Sequence, residues 1–144
     1  MSRLLEIENL SVRFAGGAVT AVDGVSLAVE RGEVFGIVGE SGSGKSTLGR
    51  CILGLVRPEA GSIVFDGTGV LGLRGAAFAA FRRRVQPVFQ DPYGSLDPRW
   101  PVGRSVRESL DCYRIGTPAD RDHRVLELFD RVGLNRGLAG RLPA

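Results

Sequence analysis

One run of nine residues has the types and spacing to hold a phosphate: Gly39, Glu40, Ser41, Gly42, Ser43, Gly44, Lys45, Ser46 and Thr47. It fits G-x-x-x-x-G-K-[ST], a loop whose backbone wraps nucleotide phosphates. Glycine suits a backbone that must take positive φ and come close to an anion, and Gly39, Gly42 and Gly44 are read in that role. Successive N–H groups then form a concave nest for phosphate oxygens. The positive end of a following helix adds to that field. The spacing assigns Lys45 to the β- and γ-phosphates and the Ser46 hydroxyl to Mg2+. The chain has 19 basic residues, and Lys45 is its single lysine. A compact ammonium stands where a planar guanidinium would not substitute.

Such a loop needs a strand before it and a helix after it. The apolar run Val34-Phe35-Gly36-Ile37-Val38 reads as a buried strand. Leu48 to Val56 reads as a helix, with Leu48, Ile52 and Leu55 as its buried stripe and Pro58 as its stop. An antiparallel sheet precedes the loop. Leu5 to Phe14 alternates apolar and polar, as one half-buried strand or two short ones broken near Asn9. Gly16-Gly17 makes a turn. Val19 to Val29 alternates again, with Asp23-Gly24 as a turn signal and residues 30–33 as a further turn. After the loop, Gly61 to Asp66 reads as a strand, residues 67–75 as loop and Ala76 to Arg84 as helix. Val85 to Phe89 is strand-like, with Pro87 confining it to an edge or a strand start. Asp91 to Pro101 reads as loop and Val102 to Tyr113 as helix. Thr117-Pro118-Ala119-Asp120 has the hydroxyl cap, early Pro and acid of a helix start. The helix it opens is expected to bury Val125, Leu128, Phe129 and Val132 and to end at Gly133. Asn135 to Ala144 carries no element signal.

The totals narrow the function. A length of 144 residues is one domain's worth of chain. A net charge of +3 with no sustained basic face does not point to nucleic acid. The densest cluster, Arg82-Arg83-Arg84, reads as a solvated helix end. Cys51 and Cys112 form no paired motif, which suits a reduced, intracellular chain. The first residues do not read as a signal peptide, and no run approaches the ~18 apolar residues of a membrane span, so a membrane role is expected to be peripheral. The sole histidine, His123, lies on the polar side of a helical pattern without a catalytic partner set. Ile63-Val64-Phe65-Asp66 looks like an apolar strand ending in a metal-holding Asp, but Asp66-Gly67 is accounted for by a hairpin turn. A guanine-reading N-K-x-D is excluded, because the lysine is already used. Small phosphate-loop kinases place the loop near the start of the chain, whereas here a sheet precedes it.

Three stretches carry a family resemblance. Leu4 to Phe14 resembles the opening strand of ABC transporter ATP-binding subunits, Gly39 to Thr47 their Walker A loop, and Val88 to Arg99 their Q-loop segment. The extended Ser95-Leu96-Asp97-Pro98-Arg99 form resembles the oligopeptide and dipeptide importer branch. The resemblance covers essentially the whole chain. It implies an α/β, P-loop ABC-type ATPase domain with an N-terminal antiparallel β subdomain and the start of a helical subdomain. Residues 1–90 would be nucleotide-binding core, and 91–144 the Q-loop exit and the first part of the helical subdomain. It implies that Phe14 stacks on adenine and that Gln90 binds Mg2+ and the attacking water, with Lys45 and Gln90 as the catalytic residues of this portion. It also implies ATP and Mg2+ as cofactors, a second ABC ATPase subunit (identical or not) and membrane-spanning permease subunits as partners, and a place on the cytoplasmic face of the membrane.

The same resemblance sets a limit. The S-G-G-Q signature loop, the Walker B strand with its catalytic Glu, the D-loop and the switch His are not found in the 144 residues. The sheet is expected to lack the strands flanking Val34–Val38, which leaves apolar surface and strand edges unpaired. The chain reads as a truncated piece of a longer subunit that does not hydrolyse ATP alone. A non-hydrolysing nucleotide-binding fragment, or a soluble ABC ATPase that does not transport, is the rival reading.

Overall fold

A computed structural model describes residues 3–91 and 94–143. Pro92 and Tyr93 of the Q-loop resemblance, and Ala144, lie outside the described residues. The chain divides into two compact units, one ending at Pro87 and one beginning at Val88.

The first unit is built on two long antiparallel strands, β1 (Arg3–Phe14) and β2 (Val19–Glu30), joined by a 3-10 turn at Ala15–Gly17. β3 (Ala60–Phe65) adds to the other edge of β1, and the short β4 (Thr68–Gly69) closes the order β2-β1-β3-β4. Two helices accompany this sheet, α1 (Lys45–Ile52) and α2 (Gly75–Arg84).

β1 runs unbroken through Asn9, but its phase changes there. Ile7 and Leu10 are both buried although three positions apart. A regular strand would turn them to opposite faces. Between the pairs Ile7–Leu27 and Leu10–Val25, β1 has one residue more than β2, a bulge that re-phases the strand. Asn9 supplies the required positive φ of 48°. The N–H of Asn9 donates to Ser26 Oγ at 2.9 Å. Opposite, Asp23-Gly24 is not the turn its sequence suggests. It is a second irregularity inside β2, where the Gly24 N–H donates to Ser11 Oγ at 3.0 Å. Two serine hydroxyls thus satisfy donors at the places where the ladder loses its regular pairing.

The core joins the sheet to both helices: Ile7, Leu10, Val12, Val22 and Ile63 from strands, Leu48 and Cys51 from α1, Val70, and Phe81 from α2. Each large aliphatic side chain buried this fully contributes about 1.5–3 kcal/mol against exposure. Gly61 sits where β3 crosses the β1 bulge. A Cβ there would lie 2.5 Å from the carbonyl oxygens of both Glu8 and Asn9, at a φ of +91°.

The expected strand Val34–Val38 is not formed. None of the four strands offers it a ladder, and Val34 and Val38 are each 98% exposed rather than buried. Val85–Phe89 is likewise unpaired among the described residues, with Val88 and Phe89 exposed. An extended apolar run becomes a strand only where a neighbour supplies hydrogen-bonding groups.

The second unit packs α3 (Val102–Cys112), α4 (Pro118–Arg131) and a 3-10 turn (Arg136–Gly140). Residues after Asn135 thus form an element that the sequence did not signal. α4 starts with the expected cap. The Asp120 N–H donates to Thr117 Oγ1 at 3.2 Å, and the Asp120 carboxylate accepts from the Thr117 N–H at 2.8 Å. Val125 and Phe129 are buried, but Leu128 and Val132 are 38% and 69% exposed, so the apolar stripe of α4 is only half covered. Arg121 ties the α3–α4 connection, donating to the carbonyls of Ile115 and Gly116 and to Asp111.

Candidate phosphate-binding site

The site begins where the unpaired segment 34–38 ends. Gly39, Glu40, Ser41, Gly42 and Ser43 form the loop, and Gly44 caps α1. The helix starts at Lys45, three residues before the apolar stripe announces it, and stops at Ile52 rather than Val56. Lys45, Ser46 and Thr47 therefore make its first turn. The unbonded N–H groups and the positive dipole end of that turn are presented at the loop.

The glycines do different jobs. Gly42 and Gly44 have φ of 83° and 89°. A Cβ on Gly44 would lie 2.0 Å from the Ala21 carbonyl oxygen, so the loop presses directly on β2 at this point. Gly39 does not take the positive φ expected for it. Its constraint is space, because a Cβ there would lie 2.7 Å from Ser43 Oγ.

Lys45 bends back over the loop. Its ammonium donates to the Gly39 and Glu40 carbonyl oxygens at 2.7 and 2.6 Å and to Ser43 Oγ at 3.3 Å. The Ser43 N–H donates to the Glu40 carbonyl at 3.2 Å, which closes the turn under it. The positive group is thereby held against the backbone of a glycine loop, a setting that suits an anion. A hollow of about 630 Å³ borders the loop, lined by Ala21, Val22, Phe35 and Ile37 together with Gly44 and Lys45.

Phe14 ends β1, paired with Val19, and is 43% exposed, so its ring has a face available. Gln90 belongs to the second unit and is exposed. In the same unit the Asp97 carboxylate accepts from the backbone N–H, Nε and Nη2 of Arg99 at 3.0, 3.0 and 2.8 Å. These hydrogen bonds from Arg99 hold the Asp97 carboxyl down at about 2. Burial pushes the Cys51 thiol up, which suits a core side chain rather than a nucleophile. His123 faces Glu127 at 3.2 Å on the exposed side of α4. Among the described residues no three His, Cys, Asp or Glu side chains gather as a metal cage.

The sequence missed the role of Asp66. It sits in the β3–β4 turn, as the Asp-Gly pair suggests, but its carboxylate also receives Arg31 and Arg84. Those partners are 35 and 18 residues away, a distance at which local spacing carries no signal.

The chain is also similar to known proteins. The sequence pattern described as ABC transporter matches residues 22–142. An oligopeptide transport ATP-binding protein, OppF, of Streptococcus mutans is 43% identical over 98% of this chain and 47% of its own length. The OppF protein of Bacillus subtilis is also 43% identical, over 98% of this chain and 48% of its own. The chain thus spans about half the length of these curated relatives. Among solved structures, a dimeric ATP-binding cassette, MJ0796, in a post-hydrolysis state bound to ADP and Pi superposes with a TM-score of 0.79 at 26% identity. That match covers 97% of this chain and 62% of the cassette. The cbiO1 protein of Clostridium perfringens, part of the transporter complex cbiONQ, superposes with a TM-score of 0.76 at 27% identity. It is matched over 99% of this chain and 55% of its own.

Proposed function

This chain belongs to the ABC transporter family, and from that premise we propose that it is the ATP-binding portion of a subunit powering the import of peptides or similar small solutes. The observation that carries the proposal is the glycine loop closed by Lys45, in a chain 43% identical over 98% of its length to oligopeptide transport ATP-binding proteins. Lys45 exchanges its bonds to the loop carbonyls for bonds to the β- and γ-phosphates. The N–H groups of the loop and of the first turn of α1 take the remaining phosphate oxygens. Phe14 offers its exposed face to the adenine.

A divalent cation fits these residues. Mg2+ keeps several waters and needs few protein ligands beside the substrate phosphates, so the lack of a carboxylate cage among the described residues is no obstacle. The Ser46 hydroxyl, in the first turn of α1, is the proposed ligand within the first unit, and the ion would offset phosphate charge. Gln90 orients the attacking water for in-line displacement. The partners proposed are a second ATPase subunit, which completes the site, and membrane-spanning permease subunits. No described helix is long and apolar enough to cross a membrane. The proposed place is peripheral, on the cytoplasmic face of the cell membrane.

The test is uptake of a labelled oligopeptide by cells whose only copy of the gene carries Lys45→Ala. Loss of uptake with the protein still present supports the proposal. Undiminished uptake contradicts it.

A further inference from the structure

The Ser43 hydroxyl stands between the two ends of the phosphate loop. It accepts from Lys45 Nζ at 3.3 Å. It also occupies the space beside Gly39, where an added Cβ would lie 2.7 Å from Ser43 Oγ and 3.4 Å from Ser43 Cβ. Gly39 is not held at positive φ, so what alanine would violate there is room for this hydroxyl. Ser43 is itself fixed by the backbone. It lies between Gly42 and Gly44, at φ of 83° and 89°, and its N–H donates to the Glu40 carbonyl at 3.2 Å. The motif has four hydroxyl side chains, on Ser41, Ser43, Ser46 and Thr47, and only that of Ser43 bonds the ammonium.

The three acceptors of Lys45 differ in kind. The Gly39 and Glu40 carbonyls hold the ammonium by short bonds of 2.7 and 2.6 Å, and their directions are set by the backbone. The Ser43 bond is longer, and its oxygen sits on a side chain that turns about one torsion. When the ammonium gives up the two carbonyls for phosphate oxygens, the hydroxyl is the acceptor that can follow it. Loss of that hydroxyl therefore costs the nucleotide-bound loop more than the empty one, in which two short bonds remain.

We infer that Ser43 is a positioning residue: its hydroxyl keeps the Lys45 ammonium aimed as it passes from loop carbonyls to phosphate, and Gly39 is glycine so that this hydroxyl keeps its place. The inference rests on the proposed role of Lys45 and adds to it the side chain that steers the lysine. Ser43 acts through Lys45.

The test uses the 144-residue chain and compares wild type with Ser43→Ala, Ser43→Thr, Gly39→Ala and the Gly39→Ala/Ser43→Ala double variant. Lys45 is the single lysine, so protein labelled with carbon-13 lysine reports on this one side chain. Ser43→Ala is expected to weaken ATP binding roughly tenfold, as for loss of a hydrogen bond to a charged group. Ser43→Thr keeps the hydroxyl and stays within about threefold of wild type. Gly39→Ala weakens binding as well, and the double variant loses less than the two single losses combined, because the atom that the new methyl strikes is gone. The Lys45 Cε resonance moves in Ser43→Ala and Gly39→Ala and returns in Ser43→Thr, while the backbone amide signals of β1 and β2 stay in place. Wild-type affinity with an unmoved Lys45 signal in Ser43→Ala overturns the inference. So do fully additive losses in the double variant, or amide shifts spread over β1 and β2, which would make Ser43 a folding residue only. If wild-type protein binds no ATP, the proposed function fails. The Lys45 signal of the nucleotide-free variants then still decides: moved in Ser43→Ala and restored in Ser43→Thr supports the steering contact, and unmoved in both overturns it.

Discussion

The Lys45 ammonium lies 2.7 Å from the Gly39 carbonyl oxygen, so the lysine of the phosphate-binding motif closes on its first glycine. This contact explains why the chain's single lysine stands here among arginines. Three separate acceptors converge on one small cation, and a forked planar group cannot meet them all. Lys45→Arg is expected to weaken ATP binding roughly tenfold or more while leaving the circular dichroism spectrum unchanged. Wild-type affinity in that variant would show that charge alone matters.

Gly61 is expected to be the least replaceable glycine of the sheet. Gly61→Ala drives a Cβ against the carbonyls of Glu8 and Asn9 and also demands a left-handed alanine. The combined cost is about 3 kcal/mol or more, read as a lowered denaturation midpoint. An unchanged midpoint would mean that β3 does not cross the β1 bulge as described.

Much of this was legible in the sequence, for identifiable reasons. The loop was, because its chemistry is local: each residue serves a phosphate within reach of its neighbours. The α4 cap was, because Thr117 and Asp120 satisfy one another within a single turn. Val34–Val38 was not, because an apolar run states a preference and only a partner strand realises it. The burial of Leu10 depends on a bulge whose sign is a lone Asn9 in a strand. The grip of Arg31 and Arg84 on Asp66 depends on topology, to which spacing is blind.

The capping box offers a small, clean stability test. Thr117→Ala removes the acceptor for the Asp120 N–H, and Thr117→Ser keeps it. The expected cost is about 1 kcal/mol for alanine and near zero for serine. Equal losses for both would assign the effect to the threonine methyl instead.

Asp97 gives a pH signature in the segment that follows Gln90. Its carboxyl is held at about 2 by hydrogen bonds from Arg99. A group depressed in the folded state contributes stability above its unfolded value, roughly 3.9, and loses that contribution as pH falls through the folded value. The Asp97–Arg99 contact should therefore survive at pH 4 and be lost towards pH 2. The carboxyl carbon resonance of Asp97 is expected to titrate near 2, and to move up in Arg99→Ala. A midpoint near 4 in wild type would contradict the contact.

Residues 39–47 are expected to bind nucleotide through its phosphates, and the 144-residue chain by itself is expected to give no steady turnover. Calorimetric titration of the purified 144-residue chain with ATP and with adenosine, followed by a phosphate-release assay on the same sample, tests it most directly. ATP binding abolished by Lys45→Ala, no measurable adenosine binding and no steady phosphate release are the expected results. Equal affinity for adenosine and ATP, or steady release that Lys45→Ala abolishes, would contradict them.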